Sequence, residues 1–390
     1  MSEVAQLMDI VEKYADELDK LSLEVWNNPE LCFEEFLACK LQCDLLRKWG
    51  FEVKENLCDF KTAFLCEYGS GSPVFAITSE YDALPGVGHG CGHNLICAAA
   101  LGSFIALTSF MKEHNIPGKV LLVGTPAEES GSSKVKIVDS HVFDGVDAAM
   151  MVHPLWATTP DRGSLSIEYF HITYKGKAAH AGSSPELGVN ALDAVQLLFA
   201  GVNAYRQQLP ESSRIHGVVI EGGLKPNIIP ETASCSFYVR ANSDVWQEKM
   251  NERFLDIIKG AALMTGCDYV IEKNGVGTKA RKPSGLMNEE WIKTISELGV
   301  DVNLTLGPGR GSSDFGNVSQ AVPAIHPYIG IKEDKVEIPA HSSVFAQEAR
   351  KPFALEQMHR ASAAMAAVGL KVLIDEEFRS KLKVEFNNTK

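Results

Sequence analysis

Positive charge is scarce in this sequence, and internal repeats and low-complexity segments are lacking. The 390 residues include 37 Lys and Arg against 50 Asp and Glu, so the formal net charge at neutral pH is −13. Nucleic acids and anionic membranes are polyanions, and the shortage of positive charge argues against either as the main partner. A hydrophobic share of 45% and a charged share of 22% are typical of globular proteins, which excludes disordered and fibrous chains.

Long apolar runs are also lacking. The first ten residues contain Glu3 and Asp9 and no apolar stretch, so no signal peptide is expected. The longest uncharged window, residues 94–111, contains Gly, Ser and Thr and is typical of a buried core helix rather than a membrane span. The nine cysteines are irregularly spaced, which without a secretory signal indicates reduced thiols. We therefore expect a cytoplasmic protein.

The first part of the chain predicts a doubly wound α/β domain. Helical periodicity runs from Val4 to Trp49, with a break at Asn28 and Pro29. Four short β-rich runs follow, and a helix over residues 94–114 lies between the second and the third. This strand–helix–strand order implies parallel pairing and a mostly parallel sheet. The four predicted strands are residues 62–68, 74–79, 119–124 and 147–153.

The middle of the chain predicts a second domain inserted into the first. Its six elements follow the ferredoxin-like order β-α-β-β-α-β. Residues 283–331 then return to helix-then-strand order, and residues 352–374 form an Ala-rich helix. We predict a first domain of residues 1–163 plus 278–390 and an inserted domain of residues 164–277. The elements of the inserted domain are residues 165–174, 189–208, 215–221, 233–240, 245–264 and 269–272.

Metal-capable side chains follow the predicted strand 74–79. The run from Glu80 to Asn94 offers carboxylates, two imidazoles and a thiol in a glycine-rich turn that leads into a helix. Glycines let the backbone fold tightly enough for Cys91 and His93 to converge on one centre, and thiolate and imidazole suit zinc or a similar metal. A phosphate-binding turn fits less well because a third glycine and a Gly-Lys-Ser/Thr sequence are missing. A structural turn with an incidental Cys and His is the remaining alternative.

Two further predicted strands end in similar residues. Glu128 and Glu129 follow strand 119–124, and adjacent side chains of an extended chain point in different directions, so one carboxylate can bind metal while the other acts as a base. His153 closes strand 147–153. Alone, a Glu pair is usually a surface feature and a His at a strand end is usually structural. The carboxyl ends of parallel strands meet at one edge of a sheet, however, and that edge is where α/β proteins bind ligands.

Three other places carry little information alone: His180 after a strand of the inserted domain, the loop over residues 222–227, and His341 near the C-terminus. Taken together, the chain offers one Cys, three His and one Glu as ligands, with a second Glu beside them. This inventory fits a two-metal hydrolase, in which two metals clamp a water, lower its pKa and polarise the scissile carbonyl.

The run over residues 80–94 resembles the aminoacylase and indole-acetyl-amino-acid hydrolase family of metallopeptidases, family M20. The resemblance is strongest to the branch that holds the Xaa-Arg dipeptidase-like proteins and the p-aminobenzoyl-glutamate hydrolase B subunit. It covers nearly the whole chain in the right order, including the inserted domain. The other segments that carry it are residues 124–129, 311–319 and 322–327.

The resemblance implies a catalytic domain that binds two divalent ions, zinc or else manganese or cobalt. It assigns the general base to Glu128, and Asp82 would orient a ligand histidine. The expected reaction is hydrolysis of the amide bond of an N-acyl amino acid or a dipeptide with a free carboxylate. The metal ligands that the resemblance implies are Cys91, His93, Glu129, His153 and His341.

The resemblance also implies that the inserted domain is a lid and a dimerisation domain. His180 matches a lid histidine that reaches the partner's active site in family dimers, where it would stabilise the oxyanion. Asn227 and Arg240 match positions that bind the carboxylate or the backbone of the substrate. A homodimer is therefore expected.

Two segments depart from the family pattern and leave the substrate open. Residues 130–134 replace a glycine-rich run that ends in Gly-Lys, and residues 332–340 differ from the dipeptidase branch. A deacylase of a specialised biosynthetic or xenobiotic amide is one alternative. A thiol hydrolase that uses Cys91 with His93 or His89 is a second, and a non-catalytic binding protein of the same fold is a third.

Overall fold

The computed structural model describes residues 1–388. Within that range the strands are β1 (Val53–Glu55), β2 (Phe64–Ser70), β3 (Val74–Ser79), β4 (Gly118–Gly124), β5 (Ala148–Met150), β6 (His153–Leu155), β7 (Ser166–Lys175), β8 (Arg214–Glu221), β9 (Thr232–Ala241), β10 (Asp268–Glu272), β11 (Ala324–Ile325) and β12 (Tyr328–Gly330). The α-helices are α1 (Glu3–Lys13), α2 (Ala15–Asn27), α3 (Phe36–Lys48), α4 (His93–His114), α5 (Ser133–Asp139), α6 (Ala191–Tyr205), α7 (Asp244–Thr265), α8 (Gly285–Glu297), α9 (Phe315–Ala321), α10 (Ser343–Glu348), α11 (Pro352–Ile374) and α12 (Glu376–Asn388).

The chain forms two compact units, and the second interrupts the first. The first unit holds Met1–Gly163, Arg281–Gly309 and the chain from Asp314 onward. The second unit holds Ser164–Ala280 and the short segment Arg310–Ser313. The sequence places the inserted domain at residues 164–277, so the second unit extends three residues further and also takes in the short segment.

The first unit is built on a six-stranded sheet of order β1-β2-β4-β3-β5-β11. Strands β4, β3, β5 and β11 are parallel to one another, whereas β2 pairs antiparallel with both β4 and the edge strand β1. Helix α4 carries the chain from β3 to β4, as parallel pairing requires. The predicted doubly wound, mostly parallel α/β fold is confirmed.

Helix α4 lies in the core of the first unit. It is long and apolar enough to cross a membrane, but 94% of its apolar window is buried inside the protein. Helices α1, α2 and α11 pack against it, which gives the helix apolar partners on several sides. Burial within the protein therefore accounts for its uniformly apolar sequence.

The second unit is a four-stranded antiparallel sheet of order β10-β7-β9-β8 with helices α6 and α7 packed on it. Its chain order, β7-α6-β8-β9-α7-β10, is the predicted ferredoxin-like pattern. Alternate residues of β7 and β9 are buried beneath the helices, as period-two patterning predicts.

The predicted strand over residues 147–153 is wrong in one respect. Strand β5 ends at Met150 in the main sheet, and His153 begins β6, which pairs with β12 in a separate two-stranded sheet. Pro154 and Pro327 lack an amide hydrogen, so neither can extend a continuous ladder of the main sheet. The strand segment at the end of the predicted helix-then-strand region, residues 283–331, divides into β11 and β12 for the same reason.

Two helical glycines provide a test of core packing. A Cβ at Gly102 in α4 would lie 2.5 Å from Ser362 Oγ, whereas a Cβ at Gly260 in α7 would meet nothing within 4 Å. We expect Gly102→Ala to lower the free energy of unfolding by about 1–3 kcal/mol because of overpacking. Gly260→Ala should raise it by about 0.5–1 kcal/mol because alanine restricts the unfolded chain. Urea unfolding of the two variants measures both effects, and a stabilising Gly102→Ala would contradict the packing described for α4.

Candidate metal centre

The loop between β3 and α4 brings a thiol and an imidazole to the carboxyl edge of the main sheet. Cys91 lies in the last turn of this loop, and His93 is the first residue of α4. Gly92 separates them with φ +74°, and a Cβ there would lie 2.5 Å from Pro154 Cγ. Only glycine therefore fits between the two candidate ligands, both because of the left-handed backbone and because of the close approach of Pro154.

The five predicted metal ligands converge at this edge. Cys91 Sγ lies 3.4 Å from His153 Nε2. Glu129 Oε1 lies 3.8 Å from His93 Nε2 and 3.4 Å from His341 Nε2. Three overlapping sets of donor atoms lie within 4.8 Å of one another: Cys91 with His93 and His153, Cys91 with Glu129 and His341, and His93 with Glu128 and Glu129.

Hydrogen bonds fix the ring orientation of two of the histidines. His93 Nδ1–H donates to Asp82 Oδ1 at 3.0 Å, and His153 Nδ1–H donates to the Pro154 carbonyl at 2.7 Å. Both rings therefore present Nε2 to the centre, which is the usual arrangement of a metal-binding histidine. His341 is placed by its backbone, since its N–H donates to the Gly90 carbonyl at 2.9 Å.

The donor set fits a divalent cation. His93 Nε2 and Glu129 Oε1 are buried and have no hydrogen-bond partner. A buried polar atom without a partner is costly, and a cation between these atoms would remove that cost. Imidazole nitrogen, thiolate sulfur and carboxylate oxygen are the ligands that zinc prefers in proteins.

Glu128 lies between this centre and a second group of charges. Its carboxylate belongs to one set with His93 and Glu129 and to another with Glu80 and Asp314. Burial, together with the negative charge of Glu80, raises the pKa of Glu128 well above its ordinary value. A carboxylate with a raised pKa holds a proton more readily, as a general base must do after it accepts one.

Glu80, Lys134 and Asp314 form a buried charge cluster that the sequence interpretation missed. Lys134 Nζ lies 2.6 Å from Glu80 and 2.7 Å from Asp314, and all three side chains are almost fully buried. The two carboxylates raise the pKa of Lys134 against the opposing effect of burial. A signal was available, because Lys134 ends the segment that departs from the family pattern and Glu80 begins the metal-binding run.

His326 was also missed. Its ring stacks on His153 with centroids 5.1 Å apart, and it is buried beside Phe315. Burial and the charge of Arg281 hold the pKa of His326 well below its ordinary value, so the ring is neutral. It supports one face of the His153 ring, and the signal that could have found it is its place in the segment 322–327, which carries the family resemblance.

The remaining predicted site residues lie in the second unit. His180 is exposed, and its Nδ1 accepts N–H hydrogen bonds from Gly182 and Ser183, so its ring presents Nε2–H. Asn227 is exposed beside it, since the Ala181 N–H donates to the Asn227 carbonyl at 3.0 Å. Within that unit the structure therefore brings these two predicted residues together.

Arg240 lies on β9 of the second unit. Its Nη1 donates to Ser312 Oγ at 3.3 Å, and its guanidinium lies over the Tyr238 ring at 6.0 Å. Its Nε is buried and has no hydrogen-bond partner. The side chain therefore keeps an unsatisfied donor, as expected of a residue that binds an anionic group.

Comparison with known proteins identifies the family. The sequence profile described as "Peptidase family M20/M25/M40" matches residues 76–385. The chain belongs to this family. This match confirms the resemblance to family M20 that residues 80–94 indicate.

Two relatives of this M20-family chain are curated hydrolases. The Xaa-Arg dipeptidase of Mus musculus is 33% identical over 403 residues, covering 96% of this chain and 92% of the relative. The B subunit of the p-aminobenzoyl-glutamate hydrolase of Escherichia coli is 36% identical over 273 residues, covering 65% and 56%. The prediction of a hydrolase that acts on amide bonds is confirmed.

A solved structure supports the fold of this M20-family chain. The YxeP protein of Bacillus subtilis, described as a dinuclear metal-binding peptidase of the M20 family, superposes with a TM-score of 0.71 at 19% identity. The match covers 93% of this chain and 99% of that one. It bears out the α/β domain with an inserted second domain.

The geometry around Gly92 provides a test of the M20-family metal centre. Gly92→Ala should displace Cys91 and His93 and weaken zinc affinity by about 10-fold or more, since small shifts of ligand orientation have effects of that size. Gly86→Ala is the matched control, because Gly86 also has a positive φ, +71°, but a Cβ added there would meet nothing within 4 Å. Competition with a fluorescent zinc chelator measures both variants. Equal affinities in the two would contradict the placement of the ligands.

Proposed function

We propose that the protein hydrolyses the amide bond of N-acyl amino acids or dipeptides with a free carboxylate. The observation that carries the proposal is the convergence of five donor side chains on one centre, with the Glu128 carboxylate directly beside it. The names of the relatives support the substrate class, since one acts on a dipeptide and the other on an N-acylated glutamate.

Glu128 is the general base of the proposed mechanism. Two divalent ions at the centre, when bound, would supply a polarised amide carbonyl and a water of lowered pKa. A carboxylate oxygen of Glu128 accepts the proton of that water as the water attacks the amide carbon. The same oxygen then gives the proton to the leaving nitrogen. Asp82 keeps His93 in the tautomer that presents Nε2 to the centre.

The substrate contacts in this proposal are Arg240, His180 and Asn227. A free carboxylate needs local positive charge in a protein whose net charge is −13. Arg240 offers that charge and has an unsatisfied buried Nε. His180 offers an exposed Nε2–H for the oxyanion, and Asn227 offers an amide for the substrate backbone.

The same proposal includes zinc as the metal, a cytoplasmic location and a homodimer. Strand β8 is at the edge of its sheet, and its side chains Val218, Val219 and Ile220 are 59%, 50% and 59% exposed. An exposed apolar edge strand is a template for pairing with a second copy. Nine free cysteines are in keeping with a reducing compartment.

Removal of the base tests the mechanism. Glu128→Gln should lower kcat by about 100-fold to 10,000-fold, because it removes proton transfer and keeps the shape of the side chain. Zinc content should remain that of the unsubstituted protein. Release of free amino acid from a panel of dipeptides and N-acyl amino acids measures kcat, and elemental analysis measures zinc.

Glu113→Gln is the control for that experiment. Glu113 is an exposed glutamate at the end of α4, so its substitution should leave kcat unchanged. Full activity of Glu128→Gln on every substrate that the unsubstituted protein cleaves would exclude Glu128 as the base.

A chelator separates this proposal from the thiol hydrolase. Cys91 lies beside His153, but burial and the charge of Glu129 raise the pKa of its thiol well above the ordinary value. A nucleophilic cysteine needs the opposite shift. We expect EDTA to abolish hydrolysis and added zinc or manganese to restore it. Inactivation by iodoacetamide together with indifference to EDTA would instead establish the thiol mechanism.

A further inference from the structure

A buried carboxylate at Glu35 holds the backbone just before the proposed base. Its side chain is 0% exposed, and Oε1 accepts N–H hydrogen bonds from Phe33 and Ala127, both at 2.9 Å. Oε2 accepts a hydrogen bond from the Thr62 hydroxyl at 3.0 Å. Ala127 is the residue that immediately precedes Glu128, so this side chain acts on the loop that carries the base and a metal ligand.

Both backbone donors have left-handed conformations. Phe33 and Ala127 each have φ +61°, a region that residues other than glycine rarely adopt. Such a conformation persists only where the surrounding structure fixes it, and it clusters at functional sites. The Ala127 carbonyl is fixed as well, because the Gly131 and Ser132 amides donate to it at 2.9 Å and 2.7 Å.

We propose that Glu35 is a positioning residue for catalysis, which holds Ala127 in its left-handed conformation and thereby aims Glu128 and Glu129 at the centre. This inference rests on the proposed function, because it assigns Glu128 the role of base. A change of φ at Ala127 would rotate the chain that follows and redirect both carboxylates. The length of the Glu35 side chain matters more than its charge, since its oxygens must reach three donors at once.

Glu30 provides a matched comparison within the same segment. Its carboxylate also accepts two backbone amides, those of Leu37 and Ala38, at 2.9 Å each. These amides belong to the first turn of α3, where the backbone is ordinary helix. The Glu30 side chain therefore makes the same number of backbone hydrogen bonds, but to a helical turn that contains no candidate site residue.

Two substitutions separate the effect of the length of the Glu35 side chain from the effect of its charge. Glu35→Asp keeps the charge but is one methylene too short to reach all three donors, and it should lower kcat about 10-fold to 100-fold, as small displacements of catalytic groups do. Glu35→Gln keeps the length and one carbonyl oxygen for both amides, and it should retain most of the activity. Glu30→Asp should leave kcat unchanged. KM should stay the same in all three variants, whereas zinc affinity should fall in Glu35→Asp alone, because Glu129 is displaced together with the base.

A third substitution tests the conformation itself. Glycine adopts positive φ without strain, so Ala127→Gly in the Glu35→Asp background should restore kcat. Hydrogen exchange by mass spectrometry of the metal-free protein gives a readout that is independent of activity. Peptides that cover residues 29–36 and 124–134 should exchange faster in Glu35→Asp than in the unsubstituted protein or in Glu30→Asp.

The outcomes that would overturn the inference are distinct from failure of the proposed function. Equal kcat in Glu35→Asp and Glu30→Asp overturns it, and so does an equal loss in Glu35→Gln and Glu35→Asp. Failure of Ala127→Gly to restore kcat overturns it as well. If the unsubstituted, zinc-loaded protein cleaves no member of the amide panel, the proposed function fails, and the exchange rates still decide whether Glu35 holds Ala127. Exchange of the two peptides that is unchanged in Glu35→Asp then overturns the inference too.

Discussion

The carboxylate of Asp82 connects the two loops on which the candidate metal centre depends. One oxygen accepts the His93 Nδ1–H, and the other accepts the Glu129 N–H at 2.9 Å. The loop after β3 and the loop after β4 are thereby held in a fixed position relative to each other. Burial alone would raise the pKa of Asp82, but the charge of His93 and these hydrogen bonds lower it below the ordinary value. The group that joins the loops is therefore charged, and its hydrogen bonds are strong.

The sequence predicted the parts of this centre that depend on local pattern. The β3 strand and the apolar α4 helix were placed to within a residue, because continuous apolar runs and a glycine-rich turn lie between recognisable ends. Parallel order then implied that the polar residues after β3 and β4 meet at one edge. Cys91 and His93 followed from that edge and from the glycines around them.

Interactions between distant parts of the chain could not be predicted in this way. Lys134 and Asp314 are 180 residues apart, and Glu35 and Ala127 are 92 residues apart. The departure from the family pattern marks Lys134 but does not indicate that it is buried, since a lysine after four serines and glycines is usually exposed. The ends of β5 and β11 were not predicted for a related reason. The chain after each of these strands pairs in a second, small sheet, and that pairing depends on contacts between distant segments.

The ion pair between Lys134 and Asp314 has a consequence for how the chain matures during synthesis. The second unit consists of Ser164–Ala280 and Arg310–Ser313, so all of it leaves the ribosome before Asp314 does. Until then the first unit lacks β11 and α11, and Lys134 lacks one of its two ion-pair partners. A buried ammonium with an incomplete set of partners disfavours closure of the pocket around it. Because of the order of the sequence, the first unit can be completed only when its last segments have been synthesised, whereas the second unit has all of its strands earlier.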